Sequence, residues 1–403
     1  MKKVLIIGGG AAGFFTAINA KEMNPNLDVV ILEKGSDVLQ KVKVSGGGRC
    51  NVTHACFDPK ELTEFYPRGA KELLGPFHQF MTGDMFQWLE DKGVPLAIEA
   101  DNRVFPEANT SQAIIDCFQN AVETLGIQVL TNHGVTNVSK KGATWHVTTK
   151  EKEFTADKLV VAAGSSKKIW ALCEALNHTV VPLVPSLFTF NIKDSRIATL
   201  PGVTVPAATV SLRSTKLEST GPLLITHWGM SGPAVLKLSA FGARILAEKD
   251  YQYQVVVNWL SRPTTQIANV LQNLKKKQPK KQVVLRSPFE VVSKRLWAQL
   301  AYASEITDTQ RWVDLSNAQI DALANQLTNG VFNASGKTTF KEEFVTAGGI
   351  ELKEINFKRF ESKLHENLFF VGEILNIDAV TGGFNFQNAW TGGFVAAKAL
   401  AGI

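Results

Sequence analysis

The stretch Val4-Leu5-Ile6-Ile7-Gly8-Gly9-Gly10-Ala11-Ala12-Gly13 decides the fold of this 403-residue chain. Its first four residues form a short apolar run, which is typical of a buried parallel strand. The glycines match the pattern G-x-G-x-x-G, and a helix is predicted from Ala11 to about Met23. A second apolar run, residues 29–32, ends at the acidic residue Glu33. The order of strand, glycine turn, helix and strand predicts a βαβ unit that binds a dinucleotide.

Each part of this unit has a physical task. Gly8 permits the tight turn, Gly10 lets the backbone approach a pyrophosphate, and Gly13 lets helix and strand pack closely. The helix that begins with Ala11-Ala12 offers unpaired N–H groups and the positive end of its dipole to phosphates. Glu33, 20 residues after Gly13, can accept hydrogen bonds from the adenosine ribose hydroxyls. A 2′-phosphate would be repelled by this carboxylate, so NADP is disfavoured, whereas NAD and FAD both satisfy the pattern.

Length and composition indicate an ordinary soluble enzyme with two or three structural units. Hydrophobic residues make up 45% and charged residues 20% of the chain, and no apolar run reaches the roughly 18 to 20 residues of a membrane span. The glycine triplet at residues 8–10 interrupts the N-terminal apolar stretch, so a βαβ unit explains it better than a secretory signal does and a cytoplasmic location is expected. Four scattered cysteines without a CxxC pair predict neither a disulfide framework nor a zinc site.

The net charge of +6 owes much to one cluster, Lys275, Lys276, Lys277, Lys280 and Lys281. Mildly basic soluble enzymes are common, and a bound dinucleotide itself carries negative phosphates. Charge alone therefore gives little support for a nucleic-acid partner.

Segments far from the opening unit repeat the dinucleotide-type pattern. Residues Ser45–Asn51 are too glycine-rich for a helix or strand and suit a loop that lies against a ligand. A buried strand ends in Ala162-Ala163-Gly164, and another runs from Asn367 into Gly372-Glu373. The stretch Gly382–Asn388 then precedes a helix of small residues. One domain is therefore predicted from both ends of the chain, with an insert between them.

The insert differs in character. Two β-branched runs, Val203–Leu212 and Tyr251–Trp259, indicate strands, and a mostly helical region follows from about Thr264. We therefore predict an FAD-binding domain from residues 1–190 and 338–403, a β-rich insert from 191–262 and a helical insert from 263–337.

Taken together, these segments resemble the bacterial YhiN/BaiN-type flavoproteins, a group that includes enzymes described as aminoacetone oxidases. The matching blocks follow the family's order over nearly the whole chain: the glycine turn, Ser45–Asn51, Thr226–Pro233 and Gly372–Asn388. The resemblance implies an α/β fold in which a Rossmann-like FAD-binding domain of glutathione-reductase type is interrupted by an insert with a β-barrel part and a helical part.

The resemblance also implies which residues contact FAD. Near the flavin and pyrophosphate it places Ser45, Gly46, Gly47, Arg49, Cys50 and Asn51, and near the ribityl and phosphate region Gly372 and Glu373. Near the isoalloxazine it places Gly383, Asn385, Gln387 and Asn388. Further expected cofactor contacts are Lys34, Lys41, Val135, Ala162, Ala163 and Gly164. Departures from the family pattern at His54, Asn376 and Ala379 weaken any transfer of a substrate.

Two residue types invite catalytic hypotheses. His227 has the intrinsic pKa of a general base at neutral pH, although its Gly- and Pro-rich surroundings equally suit a structural turn. Cys50 and Cys56 are spaced C-x5-C, whereas flavin disulfide reductases usually have C-x4-C and a second nucleotide motif, which this chain lacks. Ordinary packing of Cys50 beside the cofactor is therefore the favoured interpretation. The last helix should point its positive end at the flavin, so a negative charge at Asn388 should lower the flavin reduction potential.

These observations predict an FAD-dependent oxidoreductase that transfers hydride from a small molecule, with amines among the candidates, to the flavin. One alternative is an NAD(P)H-dependent flavin reductase that binds nicotinamide transiently. Another is a flavoprotein that docks RNA through its basic helical insert, as some tRNA-modifying flavoproteins do. The substrate, the electron acceptor and the oligomeric state do not follow from the sequence.

Overall fold

A computed structural model describes residues 1–338 and 345–403. These residues form two compact units: the first combines Met1–Val184 with the C-terminal segment from Val345, and the second begins at Pro185 and includes the described residues up to Thr338. The FAD-binding domain expected from residues 1–190 and 338–403 includes residues 339–344, which lie outside the described ranges.

Helices and strands are interspersed along both units. The first unit begins with β1 Lys3–Ile7, α1 Ala11–Met23, β2 Asp28–Leu32, α2 Gln40–Gly48, β3 Thr53–His54, α3 Pro59–Thr63, α4 Ala70–Phe77, α5 Thr82–Glu90, β4 Leu96–Ile98, β5 Arg103–Pro106, α6 Gln112–Thr124, β6 Gln128–Leu130, β7 Asn137–Lys141, β8 Thr144–Thr148, β9 Glu153–Ala156, β10 Lys158–Val161, α7 Lys167–Ala175 and β11 Val180–Ser186. The second unit contains β12 Thr189–Ile192, β13 Thr204–Leu212, β14 Glu218–Ile225, β15 Gly229–Ser231, α8 Pro233–Glu248, β16 Gln252–Asn258, α9 Thr264–Lys277, α10 Lys294–Tyr302, α11 Asn317–Thr328 and β17 Gly330–Thr338. The first unit then resumes with β18 Val345–Ile350, β19 Ile355–Asn356, β20 Glu361–Ser362, β21 Leu368–Phe370 and α12 Phe384–Ala401. Short 3-10 turns occur at Trp312–Asp314, Leu352–Glu354 and Gly372–Ile374.

A seven-stranded sheet in the order β19-β20-β21-β10-β1-β2-β6 forms the centre of the first unit. Strands β21, β10, β1, β2 and β6 run parallel, with Ile6 opposite both Val160 and Ile31. Residues Val4–Ile7 are almost completely buried, as expected of a strand covered on both faces. The predicted βαβ unit is confirmed, and α1 begins and ends at the predicted residues.

Helices α1 and α12 pack closely because small residues line their contact. A Cβ atom at Gly393 would lie 3.0 Å from the Thr16 hydroxyl oxygen and 3.3 Å from the Phe15 ring, and both of these residues belong to α1. Residues 12–20 of α1 are all buried. Three smaller sheets, β3-β5-β4, β7-β8-β9 and β11-β18, complete the strand pairing of this unit.

The second unit contains a closed barrel in the order β12-β15-β14-β13-β16-β17. One continuous apolar core unites the barrel with the following helices and includes Trp259, Trp297 and Phe332. The predicted barrel part and helical part of the insert are therefore both present.

Two boundaries differ from the sequence prediction. Residues 185–190, assigned above to the FAD-binding domain, belong to the second unit. Residues 330–337, assigned above to the helical insert, form most of strand β17, which pairs with β16 from Val257↔Gly330 to Gln252↔Ser335. Buried Phe332 and Ala334 alternate with exposed Asn333 and Ser335, a two-residue period that suits a strand. Since β17 also pairs with β12, the barrel closes through a strand that lies after the helices in the chain.

None of the helices in the described part of the chain has both the length and the apolarity needed to cross a membrane.

Candidate cofactor site

The turn between β1 and α1 leaves no room for side chains at two of its glycines. Gly8 has φ +118°, and a Cβ atom there would lie 2.5 Å from the Ala162 carbonyl oxygen. A Cβ atom at Gly13 would lie 2.0 Å from the Gly8 carbonyl oxygen. The predicted tight turn and close helix–strand packing are therefore present.

Gly10 differs from these two glycines because it faces open space. No heavy atom lies within 4 Å of where its Cβ would be. Gly10 is the N-cap of α1, no side chain caps the helix, and no acidic residue lies in its first turn. The first N–H groups of α1, from Ala11-Ala12 onward, can therefore bind an anion. This geometry fits the pyrophosphate of a dinucleotide.

The Glu33 carboxylate holds the loop beside this turn. Its two oxygens accept hydrogen bonds from the backbone N–H groups of Gly9 and Gly35, both at 2.8 Å. The following residue, Lys34, lies beside Gly134, where a Cβ would be 3.5 Å from the Lys34 Cβ. Val135 is buried next to it. The structure thus brings Glu33, Lys34 and Val135 together at one end of the turn, and their contacts with the adenosine half of the cofactor stay a prediction.

A second group of predicted residues lies on the other side of the turn. The Ala162 N–H donates to the Ile7 carbonyl at 2.8 Å, which leads Ala163 and Gly164 past the end of β1. A Cβ at Gly164 would lie 3.7 Å from the Glu373 carboxylate, and this carboxylate forms an ion pair with Lys41. Gly372 lies against the start of α1, because its Cβ would be 3.0 Å from the Ala12 Cβ.

The glycine-rich segment at the end of α2 interrupts the helix. Ser45 (ψ 150°), Gly46 (φ 57°) and Gly47 (φ 70°) have non-helical backbone angles. A Cβ at Gly46 would lie 2.9 Å from the Asn51 nitrogen, whereas one at Gly47 would have no neighbour within 4 Å. The Ser45 hydroxyl donates to the Val42 carbonyl at 2.9 Å. Gly47 therefore offers open backbone, as predicted for a ligand-facing loop.

Arg49 already has a charged partner. Its guanidinium donates to the Glu99 carboxylate at 2.6 Å and lies 4.0 Å from the centre of the Phe105 ring. The Arg49 side chain therefore packs against the β4–β5 segment, and its position near the flavin and pyrophosphate stays a prediction.

The start of α12 contacts strand β3 directly. Gly383, the N-cap, has φ +92°, and a Cβ there would lie 2.5 Å from the Thr53 carbonyl oxygen. When the Asn51 amide is oriented so that both of its polar atoms are bonded, its NH2 group donates to the same Thr53 carbonyl oxygen at 2.9 Å. Its oxygen then accepts from the Gly383 N–H at 3.1 Å. The structure therefore brings Asn51 and Gly383 into direct contact.

The polar side chains of the first turns of α12 differ in how they are satisfied. Asn385 accepts a hydrogen bond from the Ala379 N–H at 3.0 Å. Gln387 is fully buried, accepts from the Thr53 hydroxyl at 2.6 Å and donates to Thr391 at 3.1 Å. Asn388 is also fully buried, yet among the described residues neither its amide nitrogen nor its amide oxygen has a partner.

An unpaired buried amide costs about 1 to 3 kcal/mol, so its presence calls for an explanation. Helix α12 has no side-chain cap and no acidic residue in its first turn, so its positive end is also uncompensated. A polar or anionic group of a bound cofactor would compensate the helix end, and the inaccessible Asn388 amide would have to turn toward such a group to be satisfied by it. The start of α12 therefore fits the flavin end of FAD, as the start of α1 fits the pyrophosphate.

Cys50 lacks the environment of a reactive thiol. Burial raises the pKa of Cys50 to about 12, and a hydrogen bond with Ser45 only partly opposes this. Burial also raises the pKa of Cys56, and both cysteines are free thiols. Since the thiolate is the nucleophile, the geometry favours packing over catalysis at Cys50.

His227 belongs to the second unit. It lies at the exposed tip between β14 and β15, where Thr226 and Gly229 exchange backbone hydrogen bonds at 2.8 and 3.3 Å. A Cβ at Gly229 would lie 2.2 Å from the Phe190 carbonyl oxygen, so the turn requires glycine. The structural part of the sequence interpretation has direct support, and the catalytic part stays a prediction.

Sequence reasoning did not select His54 as a site residue. Its ring packs 4.5 Å from the Phe384 ring, and its Nδ1 lies 3.2 Å from the Gly382 carbonyl oxygen. No local sequence pattern indicates this position, because its partner Gly382 lies 328 positions further along the chain.

The parallel sheet, the glycine turn, Glu33 and the α12 N-terminus together define a flavoprotein of the Rossmann class. The family model of the HI0933-like protein Rossmann domain matches residues 2–399. The chain therefore belongs to the HI0933-like family, the YhiN/BaiN-type flavoproteins that the sequence resembles; it is an FAD-dependent oxidoreductase and its cofactor is FAD.

Relatives align over almost the whole chain. The 3-dehydro-bile acid delta(4,6)-reductase of Clostridium scindens is 26% identical over 100% of this chain and 99% of the relative. The ribosomal RNA dihydrouridine synthase of Haemophilus influenzae is 24% identical over 98% of each chain. Among solved structures, a 3-ketosteroid-delta4-(5alpha)-dehydrogenase from Rhodococcus jostii RHA1 has a TM-score of 0.51 at 13% identity, covering 98% of this chain and 97% of the other. That structural likeness concerns the fold.

Proposed function

We propose that this protein reduces carbon–carbon double bonds that are conjugated to a carbonyl group. The observation that carries the proposal is the chemistry shared by two relatives with different substrates. One is named for reduction of a 3-dehydro bile acid and the other for formation of dihydrouridine. In a 3-oxo-Δ4 steroid skeleton and in uracil alike, the reducible double bond is conjugated to a carbonyl.

This direction is the reverse of hydride transfer from a substrate to the flavin. Bound FAD supplies hydride transfer, and the same site can run in either direction. Oxidation of an amine stays a prediction, and neither relative's name supports it. An electron donor is needed for reduction, and transient NAD(P)H, the alternative raised by the sequence, fits a chain with one dinucleotide turn.

The chain's own residues would hold and orient the cofactor. The α1 N-terminus and open Gly10 would bind the pyrophosphate, and Glu33 would receive the adenosine ribose. The α12 N-terminus and the unpaired Asn388 amide would bind the polar edge of the flavin ring, where helix-dipole stabilisation of negative charge is worth about 0.3 to 1 kcal/mol, and more when buried.

The test is single-turnover reoxidation of the dithionite-reduced holoenzyme under anaerobic conditions. We expect 2-cyclohexen-1-one, 4-androstene-3,17-dione or uridine to reoxidise the flavin, with formation of the saturated product, faster than cyclohexanone does. Substrate oxidation, the opposite direction, is tested by adding aminoacetone to the oxidised enzyme. Reduction of the flavin by aminoacetone, together with no reoxidation by any conjugated carbonyl compound, would contradict the proposal.

A second candidate concerns where the double bond is presented. Lys276 and Lys277 are exposed at the end of α9, and Lys280 and Lys281 are exposed just after it, whereas Lys275 donates to the Leu315 carbonyl. Together with the name of the Haemophilus influenzae relative, this cluster favours a uracil within RNA over free uridine. Each phosphate contact on a single strand would add about 0.7 to the slope of log affinity against log salt.

The lysine cluster is tested by replacing Lys276, Lys277, Lys280 and Lys281 with glutamine. We expect weaker RNA retention and a shallower salt dependence. A charge-matched control replaces the exposed Lys60, Lys71, Lys150 and Lys249 with glutamine. It should retain RNA more strongly than the cluster variant does. Equal losses in the two variants would indicate non-specific charge attraction and remove this candidate.

A further inference from the structure

We propose that His54 is a catalytic residue that delivers the proton completing reduction of the substrate, from a ring nitrogen held beside the start of α12. This inference rests on the proposed function and on the flavin ring lying at Gly382–Gly383. It concerns a position at which this chain departs from the family pattern, so relatives with another residue there would take this proton from a different donor.

The backbone of His54 is fixed by three neighbours. Strand β3 pairs antiparallel with β5, so that His54 lies opposite Arg103. The Thr82 hydroxyl donates to the His54 carbonyl at 3.0 Å. On the adjacent residue, Thr53 bonds Gln387 at 2.6 Å, which ties the strand to α12.

The ring of His54 is fixed as well. It packs against the rings of both Phe384, at 4.5 Å, and Phe65, at 5.6 Å between ring centres. These two phenyl rings stack on one another at 4.2 Å. A side chain held in this way loses little further conformational entropy when it contacts a substrate.

The hydrogen bond at Nδ1 determines which nitrogen is available. Nδ1 lies 3.2 Å from the Gly382 carbonyl oxygen, and a carbonyl can only accept, so Nδ1 carries a proton and donates. Nε2 has no hydrogen-bond partner among the described residues, and the side chain is only half-buried. Nε2 is therefore free to exchange a proton with a ligand and with solvent.

Other ionisable groups near the start of α12 are engaged. The hydroxyl of fully buried Tyr66 donates to the Phe384 carbonyl at 2.6 Å, and burial raises its pKa. Asp378 is buried in an ion pair with Arg68. His54 is thus the group in this part of the described chain with an uncommitted titratable nitrogen.

The proton transfer balances the proposed reduction. Reduced FAD, held at the N-termini of α1 and α12, would supply a hydride equivalent, and thus two electrons, to the carbon distant from the carbonyl. The π-electron pair of the double bond then forms a C–H bond at the carbon next to the carbonyl, using the proton on Nε2. The Nε2–H bond breaks, its electron pair stays on nitrogen, and neutral His54 is reprotonated from solvent.

The environment of His54 fixes the sign of the pH dependence. Burial lowers the pKa of His54 from its ordinary value of 6.5; the Gly382 hydrogen bond and Asp101 oppose this, and Arg103 adds to it. Phe65 and Phe384, which pack against the ring, are uncharged. Since the protonated ring donates, the reduction rate should fall about tenfold per pH unit above this pKa. In the dehydrogenation direction the neutral ring accepts, so that rate should rise to a plateau instead.

The experiment compares wild type, His54→Asn and a control, His78→Asn, in which the replaced histidine is exposed. In FAD-loaded protein, the NMR titration of His54 and the flavin absorption spectrum are followed over the same pH range. We expect a spectral shift of the flavin whose midpoint matches the His54 pKa, present in wild type and His78→Asn and absent in His54→Asn. Single-turnover reduction of 2-cyclohexen-1-one should be slowed about 100-fold in His54→Asn, with its pH dependence lost.

The outcomes separate this inference from the proposed function. A flavin spectrum that tracks His54 ionisation, with no conjugated carbonyl compound reduced, would keep His54 at the flavin and reject the reaction. A flavin spectrum that ignores the titration of His54 would overturn the inference. So would an unchanged rate and pH profile of enone reduction in His54→Asn.

Discussion

The N-termini of α1 and α12 are both candidates for contacting the cofactor, but they are built in different ways. The start of α1 is assembled locally: Gly8, Gly10, Gly13 and the bracing carboxylate of Glu33 lie within one βαβ unit. The start of α12 is assembled from a distance, since the hydrogen bond from Thr53 to Gln387 spans 334 positions. Gly10 at the first helix faces open space, whereas Gly383 at the second lies against the Thr53 carbonyl.

This difference suggests a separate function for each of the two helix N-termini. The nucleotide half of FAD would bind to a local motif whose geometry depends little on the rest of the chain. The chemical end depends on β3, on the loop before α12 and on buried amides, so small changes there can alter reactivity without removing the cofactor. The following variants test whether the two ends are separable.

The largest effect is expected from Gly13→Ala. The new methyl group would lie 2.0 Å from the Gly8 carbonyl oxygen, and a backbone atom cannot move away cheaply. We expect a loss of about 1 to 3 kcal/mol in the free energy of unfolding, together with loss of FAD, measured by urea denaturation and by flavin content.

Gly10→Ala is the matched control, because nothing lies within 4 Å of the new methyl group. Its unfolding free energy without FAD should change by less than about 0.5 kcal/mol, while FAD affinity falls at least tenfold because the methyl occupies the phosphate space. Equal destabilisation in both variants would contradict the assignment of Gly10 to the pyrophosphate.

Glu33→Gln should weaken FAD binding by about 10-fold to 100-fold. The carboxylate accepts from both Gly9 and Gly35, whereas an amide would turn its NH2 group toward one of these donors. Fluorescence quenching on FAD titration measures the affinity. Asp37→Asn, which removes a nearby exposed charge, should bind FAD as wild type does; a similar loss there would mean that Glu33 acts only through general charge.

Asn388→Leu should affect stability and FAD affinity in opposite directions. Removing two unpaired buried polar atoms should stabilise the FAD-free protein by about 1 kcal/mol, while FAD affinity falls because the amide's ligand contacts are lost. Gln387→Leu provides the contrast, since it breaks satisfied hydrogen bonds to Thr53 and Thr391 and should destabilise. If Asn388→Leu also destabilises the FAD-free protein, the buried amide is not reserved for the cofactor.

The sequence predicted what depends on local pattern. The βαβ unit follows from a buried run, a glycine turn and a helical period, and its helix begins and ends as predicted. Arg49 could not be placed in the same way, because its partner Glu99 is 50 positions away. His54 shows the same limit, since only the packing of Gly382 and Phe384 reveals its position. Strand β17 was assigned to the helical insert because its barrel partners, β12 and β16, lie before the helices.

The central claim, that the start of α12 faces the flavin, is tested most directly by the flavin reduction potential of Asn385→Asp. Asn388 is too deeply buried for a charge, but Asn385 is only partly buried and accepts from the Ala379 N–H, which aspartate can also do. A negative charge there should lower the potential by about 10 to 40 mV, corresponding to about 0.5 to 2 kcal/mol for two electrons. The control Asn120→Asp, on the exposed face of α6, should leave it unchanged. An Asn385→Asp holoenzyme with the wild-type potential would contradict the account.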